Sequence, residues 1–153
     1  MDRRHFALGI GATSLLAACQ TTSTSNPSLA PATLPADLKV AEPGRQIPGE
    51  FARFAGIWVG TWGTSLDGKL AVTTVAPDGA AEVYYSWGDH PQGRFTSGGF
   101  WTKGRIAGGV LRLATFNNGA EVTYIFQDDG SLQGEYLLDG APSLGKFVQR
   151  VQV

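Results

Sequence analysis

The chain has 153 residues, a formal net charge of −1 and a single cysteine, Cys19. No basic run is present, which excludes an electrostatic case for nucleic acid as a partner. One thiol excludes an internal disulfide, and two histidines with one cysteine exclude the usual zinc sites. We therefore predict no cofactor and no metal. Glycine is abundant, with 21 residues, which disfavours helices and suits tightly turned strands.

The first nineteen residues have the pattern of an export signal. Arg3 and Arg4 precede an uncharged stretch over 6–18, which is too short to span a bilayer, because a span needs roughly 20 apolar residues. Leu16-Ala17-Ala18-Cys19 resembles the lipobox of bacterial lipoproteins, in which the chain is cut before the cysteine and that cysteine is acylated. This resemblance predicts a signal peptide over 1–18 and lipid attachment at Cys19. A plain secretory signal is the alternative.

Two further residues bear on the destination. Arg3-Arg4 followed by Phe6 resembles a twin-arginine signal, although that family favours Ser or Thr where Asp2 stands, and the general export route remains the alternative. Removal of the signal leaves ten basic and twelve acidic residues. In Gram-negative lipoproteins an Asp after the acylated cysteine implies retention in the inner membrane. Gln20 stands there instead, so the resemblance implies an outer-membrane lipoprotein facing the periplasm.

A linker follows the cysteine. From Gln20 to about Gly44 the chain is mostly Thr, Ser, Pro and Ala, and such a composition buries too little apolar surface to offset its ordering entropy. We predict a disordered tether within 19–47, reaching roughly 25–30 Å, and a folded domain over 48–153. At the start of that domain, residues 50–55 predict one helical turn with Phe51 and Phe54 on the same side.

Turn signals divide the rest of the domain. They are Asp67-Gly68, Pro77-Asp78-Gly79, Ala107-Gly108-Gly109, Asn117-Asn118-Gly119, Asp128-Asp129-Gly130 and Asp139-Gly140. Asn-Gly and Asp-Gly supply the positive φ that tight hairpins require. The segments between the turns predict eight strands, over 57–66, 69–76, 80–87, 99–106, 110–116, 120–127, 131–138 and 144–152.

Apolar and polar residues alternate within these strands. In the third, Val83, Tyr85 and Trp87 share one face, and in the sixth Val122 and Tyr124 do the same. One apolar and one polar face per strand is what a closed antiparallel sheet needs, and closure removes exposed strand edges. We predict an all-β fold, a small eight-stranded antiparallel up-and-down barrel. A two-sheet sandwich is the alternative.

The start of the first strand resembles a known family. Phe54-Ala55-Gly56-Ile57-Trp58, with its Gly-x-Trp motif, resembles the opening of lipocalins and related calycins, which are also eight-stranded up-and-down barrels. The resemblance implies that Trp58 closes one end of the barrel and that an Arg from the far end of the chain packs over it. Gly56, Trp58 and Arg150 are therefore the predicted barrel-closing residues.

An eight-stranded barrel is only just wide enough for packed side chains or for one small ligand. Bulky aromatic residues expected to point inward are the first candidates for binding: Trp62, Tyr85, Trp87, Tyr124 and Tyr136. The longest connection, over 88–98, is the second candidate region, because long loops at a barrel rim commonly bind partners. It and the residues after it contribute Asp89, His90, Arg94, Phe95, Phe100 and Trp101.

Three functions fit this pattern. The first is a membrane-tethered, monomeric, non-catalytic domain that binds a small apolar molecule or lipid fragment at one end of the barrel. The second is an interaction or inhibitor module that engages an envelope protein through the 88–98 loop. The third is a hydrolase acting through Asp89, His90 or Asp139. No residue has the setting of an activated nucleophile, so we assign no catalytic residue.

Overall fold

A computed structural model of the protein describes residues 28–151 and shows a closed, up-and-down antiparallel barrel of eight strands. This confirms the predicted all-β barrel. The predicted signal peptide and Cys19 lie outside the described residues. One short helix, α1 (Gly49–Ala52), precedes the strands. The strands are β1 (Gly56–Trp62), β2 (Leu66–Val75), β3 (Ala80–Trp87), β4 (Gly98–Ala107), β5 (Val110–Leu113), β6 (Glu121–Phe126), β7 (Leu132–Leu138) and β8 (Ala141–Gln149).

The first and last strands close the barrel. In β1, Trp58 lies opposite Gln149 and Trp62 lies opposite Gly145 of β8, while the other edge of β1 pairs with β2. Every strand therefore has a neighbour on both sides, although only Gly104–Ala107 of the longer β4 pairs with the short β5.

Alternation along each strand builds the core, because successive side chains point to opposite faces of a sheet. The core residues that point inward from the strands are buried together with Phe54. They are Trp58, Trp62, Leu70, Val72, Ala81, Val83, Tyr85, Ile106, Leu111, Leu113, Val122, Tyr124, Leu132 and Phe147.

The turn predicted at Asp67-Gly68 is wrong. Both residues lie within β2, and the chain reverses over 63–65, where Gly63 has φ +57°. Gly68 faces the barrel interior, and a Cβ there would lie 3.0 Å from Trp62 Nε1. The glycine makes room for an indole. Because the turn lies at 63–65, β1 ends and β2 begins earlier than the sequence pattern indicates.

The turn predicted at Asp139-Gly140 is present and changes the start of β8. Asp139 has φ +50° and Gly140 has φ +76°, the positive values of a two-residue hairpin turn. Pairing resumes at once, with Leu138 opposite Ala141. The last strand therefore begins three residues before its predicted start at 144.

The chain before the barrel also differs from the prediction. Residues 28–47, called the N-terminal strap below, are hydrogen-bonded to the barrel wall and are not a free tether. Ala32 N–H donates to Asp67 Oδ2 at 2.7 Å, and Lys69 Nζ donates to Ala32 O at 2.7 Å. Ala41 N–H donates to Thr73 O at 2.8 Å, where a register shift interrupts the β2–β3 pairing. Polar contacts to β2 thus add to the small apolar burial of the strap, which is that of Ala32 and Ile47.

Within the range 28–151, no helix is both long enough and apolar enough to cross a lipid bilayer.

Candidate functional site

The barrel has two different ends. Helix α1 and the turns around 76–79, 108–109 and 127–131 lie at one end, called the floor. The turns at 63–65 and 139–140, the loop 88–97 and the connection 114–120 lie at the other end, called the mouth. Alternating strand direction places these connections at opposite ends.

Aromatic rings seal the floor. Trp58 is fully buried, and its Nε1 donates to Phe54 O at 2.9 Å. The ring of Phe126 meets Phe54 edge to face at 5.6 Å between centroids and meets Trp58 at 6.1 Å. Trp58 therefore lies where the Gly-x-Trp motif predicts. Gly56 has φ +137°, a conformation that side chains rarely adopt, as the chain enters β1.

The guanidinium at the floor belongs to a different arginine from the predicted one. Arg150 is exposed, and its backbone N–H donates to Ile57 O at 2.7 Å. The guanidinium carbon of Arg53 lies 4.2 Å from the centroid of the Phe126 ring. The prediction for Arg150 is corrected on this point. Arg53 follows α1 directly, so the helical turn carries it over the floor without help from the far end of the chain.

Side chains pack through the barrel interior above the floor. The Trp62 indole contacts Phe147 at 5.1 Å and Tyr124 at 5.9 Å between ring centroids. Two further inward glycines accommodate it besides Gly68: a Cβ on Gly134 would lie 2.7 Å from the indole, and one on Gly145 would lie 3.0 Å from it. The missing side chains on neighbouring strands create the space in which one large ring fits.

Two buried donors in this packing have no hydrogen-bond partner. They are Trp62 Nε1 and the hydroxyl of Tyr124. Burial raises the pKa of the Tyr124 phenol well above its usual value, and the neighbouring Tyr85 raises it further. Burial likewise raises the pKa of Tyr85, with a smaller contribution from Tyr136. These phenols are held in their neutral form because the surrounding rings solvate a phenolate poorly.

A cluster of aromatic rings lines the mouth. It comprises Tyr85, Trp87, Phe100, Phe116 and Tyr136, called the mouth cluster below. Tyr85 meets Phe116 at 4.9 Å and Phe100 at 5.8 Å between centroids. Phe100 meets Phe116 at 4.8 Å and Trp87 at 6.0 Å. All but Tyr85 are only partly buried, so the cluster presents apolar surface at the open end. Four of its five members are among the residues predicted from the sequence.

Phe116 was not predicted. The sequence pattern extends the fifth strand to 116, which places Phe116 on the face opposite Leu111 and Leu113. The strand ends at Leu113, so this parity no longer holds. Phe116 N–H donates to Ala120 O at 2.9 Å, which anchors the ring at the base of the Asn-Asn-Gly turn. An aromatic residue immediately before a turn signal is the feature that indicates a rim position.

Polar groups border the mouth cluster at two points. Asn118 Nδ2 donates to the Tyr136 hydroxyl at 2.9 Å. Trp87 Nε1 donates to Thr96 O at 2.9 Å, which ties the 88–97 loop to the cluster. A bound molecule would therefore meet aromatic faces in the middle and hydrogen-bonding groups at the edge, as in many small-molecule sites.

Asp89 organises the loop. Its Oδ1 accepts a hydrogen bond from Ser97 N–H at 2.7 Å, and its Oδ2 accepts one from Ala30 N–H at 2.8 Å. These bonds lower the pKa of Asp89, the Ala30 bond most and the Ser97 bond next, because they favour the charged form. Both carboxylate oxygens thus bind backbone amides and leave the neighbouring His90 without an orienting acid.

The other loop candidates point to different surroundings. His90 Nδ1 accepts a hydrogen bond from Gln92 N–H at 3.0 Å, and its ring meets Phe95 at 4.8 Å between centroids. Arg94 and Phe95 are exposed on the loop. Trp101 is 55% exposed on the outer face of β4, where it meets Tyr84, so it does not join Phe100 in the mouth. Tyr124 and Trp62 lie in the packed interior below.

Grooves elsewhere lie on the outside of the barrel. One of about 440 Å³ runs between the strap and the meeting edges of β1 and β8, lined by 40–43, 55–57 and 149–151. Another of about 350 Å³ is lined by 127–129, 131–133 and 145–146. Over the described range, no three His, Cys, Asp or Glu side chains are grouped to hold a metal ion.

The fold and the mouth cluster thus define an eight-stranded up-and-down β-barrel with a packed interior and an aromatic open end. No family model, no curated protein and no solved structure matches the chain.

Proposed function

We propose that this protein is a membrane-anchored envelope lipoprotein whose lipocalin-like barrel binds a small apolar ligand, such as a lipid fragment, at the mouth cluster and without catalysis. In this proposal the chain is exported, cut before Cys19 and acylated there, and it faces the periplasm from the outer membrane. The lipobox-like Leu16-Ala17-Ala18-Cys19 supports the anchor. The barrel supports the binding role.

One observation carries the choice of the mouth. Five aromatic residues meet at the open end, and four of them are only partly buried, while rings pack the interior beneath them. Water-exposed aromatic surface is costly and favours association with an apolar partner. The four partly buried rings contact the core and keep some apolar surface exposed, which suits a flat or chain-like apolar group.

The packed interior determines how such a ligand sits. Trp62 and Tyr124 occupy the space beneath the mouth, with 5.9 Å between their ring centroids. A ligand therefore rests on Phe100, Phe116 and Trp87 and does not enter the barrel. Shallow burial implies modest affinity, because affinity for an apolar ligand grows with the area removed from water.

Native mass spectrometry tests this function on the full chain purified from its own membrane. We expect a small apolar molecule retained by the parent protein. Phe100 and Trp101 are adjacent on β4 and face opposite sides of the wall, so they form a matched pair. Phe100→Ala should lower the retained fraction by on the order of tenfold, and Trp101→Ala should leave it unchanged.

Phe100→Leu serves as a milder variant if Phe100→Ala unfolds, with circular dichroism as the check. Equal retention by the Phe100 and Trp101 variants would contradict the mouth as the binding site. A parent protein that carries no small molecule, and that binds none of the extracted lipids of its membrane, would contradict ligand binding itself.

A second candidate is an interaction module that engages an envelope protein through the 88–98 loop. The favouring observation is that Phe95 is 44% exposed on a loop that Asp89 holds in a defined shape. Preorganised loops with exposed aromatic residues are common recognition elements. In the same mass spectra, a stoichiometric protein partner that is lost with Phe95→Ala and kept with Phe100→Ala would favour this function.

A further inference from the structure

The strap gives the barrel a defined direction relative to the chain that precedes it. Ala30 binds Asp89 at the mouth, Ala32 binds Asp67 near the mouth end of β2, and Ala41 binds Thr73 toward the floor. The strap therefore descends from mouth to floor, and whatever precedes Ala30 joins the barrel at the mouth.

The distance from the predicted anchor is short. Ala30 lies eleven positions after Cys19, and eleven residues span at most roughly 40 Å even when fully extended. Strands rise about 3.3 Å per residue and tilt by 35–45°, so the eight residues of β3 cover roughly 20 Å of height. Reaching the membrane with the floor downward would use much of that length to pass the barrel. With the mouth downward, no length is spent in this way.

Two connections of the mouth carry no charge, whereas its other two connections contain Asp89, Arg94 and Asp139. The mouth turn at 63–65 and the connection at 114–120 contain no charged residue. Both exposed ion pairs of the described region, Arg105–Asp78 and Lys146–Asp129, lie at the floor. Bringing charges against lipid costs free energy through desolvation. The ion pairs of the floor therefore suit water, and the uncharged turn at 63–65 and connection at 114–120 suit a lipid surface.

Apolar side chains are exposed where the strap reaches the mouth. Leu29 is 53% exposed and Phe95 is 44% exposed, and both flank the bonds between Ala30 and Asp89. At the same end of the barrel, Trp87 and Tyr136 of the mouth cluster are partly exposed. Trp and Tyr favour the boundary between lipid and water, where an aromatic body and a polar tip are both satisfied.

We propose that the mouth is a membrane-docking surface, with Leu29, Phe95 and the edge of the mouth cluster in contact with the lipid layer that holds the anchor. This inference rests on the proposed acylation of Cys19. It also gives the mouth cluster a source of ligand, because an apolar molecule can pass between the lipid layer and the rings without crossing water.

Spin labels at the two ends test the orientation. The full-length acylated protein is reconstituted in vesicles of phosphatidylethanolamine and phosphatidylglycerol that contain a lipid with a nickel-chelating head group. Acylation blocks Cys19, so one label is introduced at a time, through Asn117→Cys at the mouth or Asp128→Cys at the floor. Both positions are exposed turn residues. We expect the label at 117 to lose most of its signal to nickel and the label at 128 to keep it.

Equal loss at the two labels, or a greater loss at 128, would overturn the proposal. Leu29→Ser combined with Phe95→Ser should reduce the difference between the labels, and Val148→Ser, which replaces an exposed apolar residue of β8, should not. A difference that the double variant leaves unchanged would also overturn it.

Two further readouts separate this proposal from the proposed function. Mass spectrometry of the Cys19 peptide reports acylation: a chain without lipid at Cys19 would overturn both, whereas an acylated chain with equal label losses would overturn only the docking surface. A photoreactive residue in place of Phe95 should form adducts with lipid. Adducts with a protein or with a second copy of the chain would instead assign the mouth to that partner and overturn the docking of lipid.

Discussion

Asp89 and Ala30 are joined by a reciprocal pair of hydrogen bonds. Ala30 N–H donates to Asp89 Oδ2 at 2.8 Å, and Asp89 N–H donates to Ala30 O at 2.8 Å. The same carboxylate binds Ser97 N–H, so one side chain connects the strap, the end of β3 and the start of β4. An acidic residue that the sequence offers as a catalytic candidate thus has a structural role in holding the mouth together.

We expect Asp89→Ala to loosen the strap at its mouth end without unfolding the barrel. The variant loses the carboxylate bonds to the Ala30 and Ser97 amides and keeps the backbone bond from residue 89 to Ala30 O, and the strand pairing does not depend on the lost bonds. Trypsin should then cut after Lys39 or Arg45 roughly tenfold faster, the effect of losing about one net hydrogen bond. Asp78→Ala removes a turn carboxylate at the floor and should leave this rate unchanged. Equal rates in the two variants would contradict the strap contact.

The strap contact should weaken in acid. The pKa of Asp89 is lowered in the folded chain by the Ala30 and Ser97 amides. A lowered folded pKa contributes stability that is present above the unfolded pKa, near 3.9, and is lost as the pH falls through the folded value. NMR signals of the Ala30 and Ser97 amides should shift below about pH 4, and Asp89→Asn should remove that transition. Amide shifts that continue in the Asn variant would contradict the assignment.

The space that the inward glycines leave for Trp62 predicts that adding a methyl group at one of them destabilises the fold. A Cβ on Gly134 would lie 2.7 Å from Trp62 Cη2 and 3.0 Å from a ring carbon of Phe147, so Gly134→Ala overpacks the interior. We expect it to lower the free energy of unfolding by about 1–3 kcal/mol, or the melting temperature by roughly 4 °C per kcal/mol. Gly49→Ala meets nothing within 4 Å and is the matched control. Equal melting temperatures of the two variants would contradict tight packing of Trp62 against Gly134.

The two arginines at the floor should behave differently. Arg53 lies over the Phe126 ring, and an exposed contact of this kind is worth about 0.5–1 kcal/mol. Arg53→Ala should therefore lower the free energy of unfolding by that amount in urea denaturation. Arg150→Ala removes an exposed side chain and should stay within about 0.5 kcal/mol of the parent protein. A larger effect at Arg150 would restore the arginine that the sequence resemblance implies.

The unpaired hydroxyl of Tyr124 predicts a neutral or stabilising substitution. Tyr124→Phe keeps the ring and removes a buried hydroxyl that has no partner, so unfolding should become harder by up to about 1 kcal/mol. Tyr136→Phe breaks the bond from Asn118 and should be slightly destabilising. A loss of stability with Tyr124→Phe, measured by thermal denaturation, would indicate that the hydroxyl has a partner.

The buried phenols also predict a loss of stability at alkaline pH. The pKa values of Tyr85 and Tyr124 are raised by burial, and the stability that a raised pKa contributes is lost as the pH rises above the unfolded value, near 10. Phenolate absorbance from these two residues should therefore appear together with loss of the near-ultraviolet circular dichroism, and should be reduced in Tyr124→Phe.

The sequence predicts the barrel and four of the five mouth-cluster residues, because both depend on local patterns. Tyr85 and Trp87 share a face through simple alternation, and the Gly-x-Trp motif places Trp58 at one end. The prediction from sequence is wrong where one local pattern fits two structures. Asp67-Gly68 is a turn signal in sequence, but in the folded chain Gly68 clears space for Trp62 and Asp67 binds the strap.

The sequence by itself determined the class of fold, because strand alternation and positive-φ turn residues act within a few positions of one another. The tertiary structure alone decided which glycines receive Trp62, which arginine covers the floor, and where the strap attaches. These depend on residues far apart in the chain, such as Gly134 and Trp62, and their distances are set only once β1 and β8 pair and close the barrel.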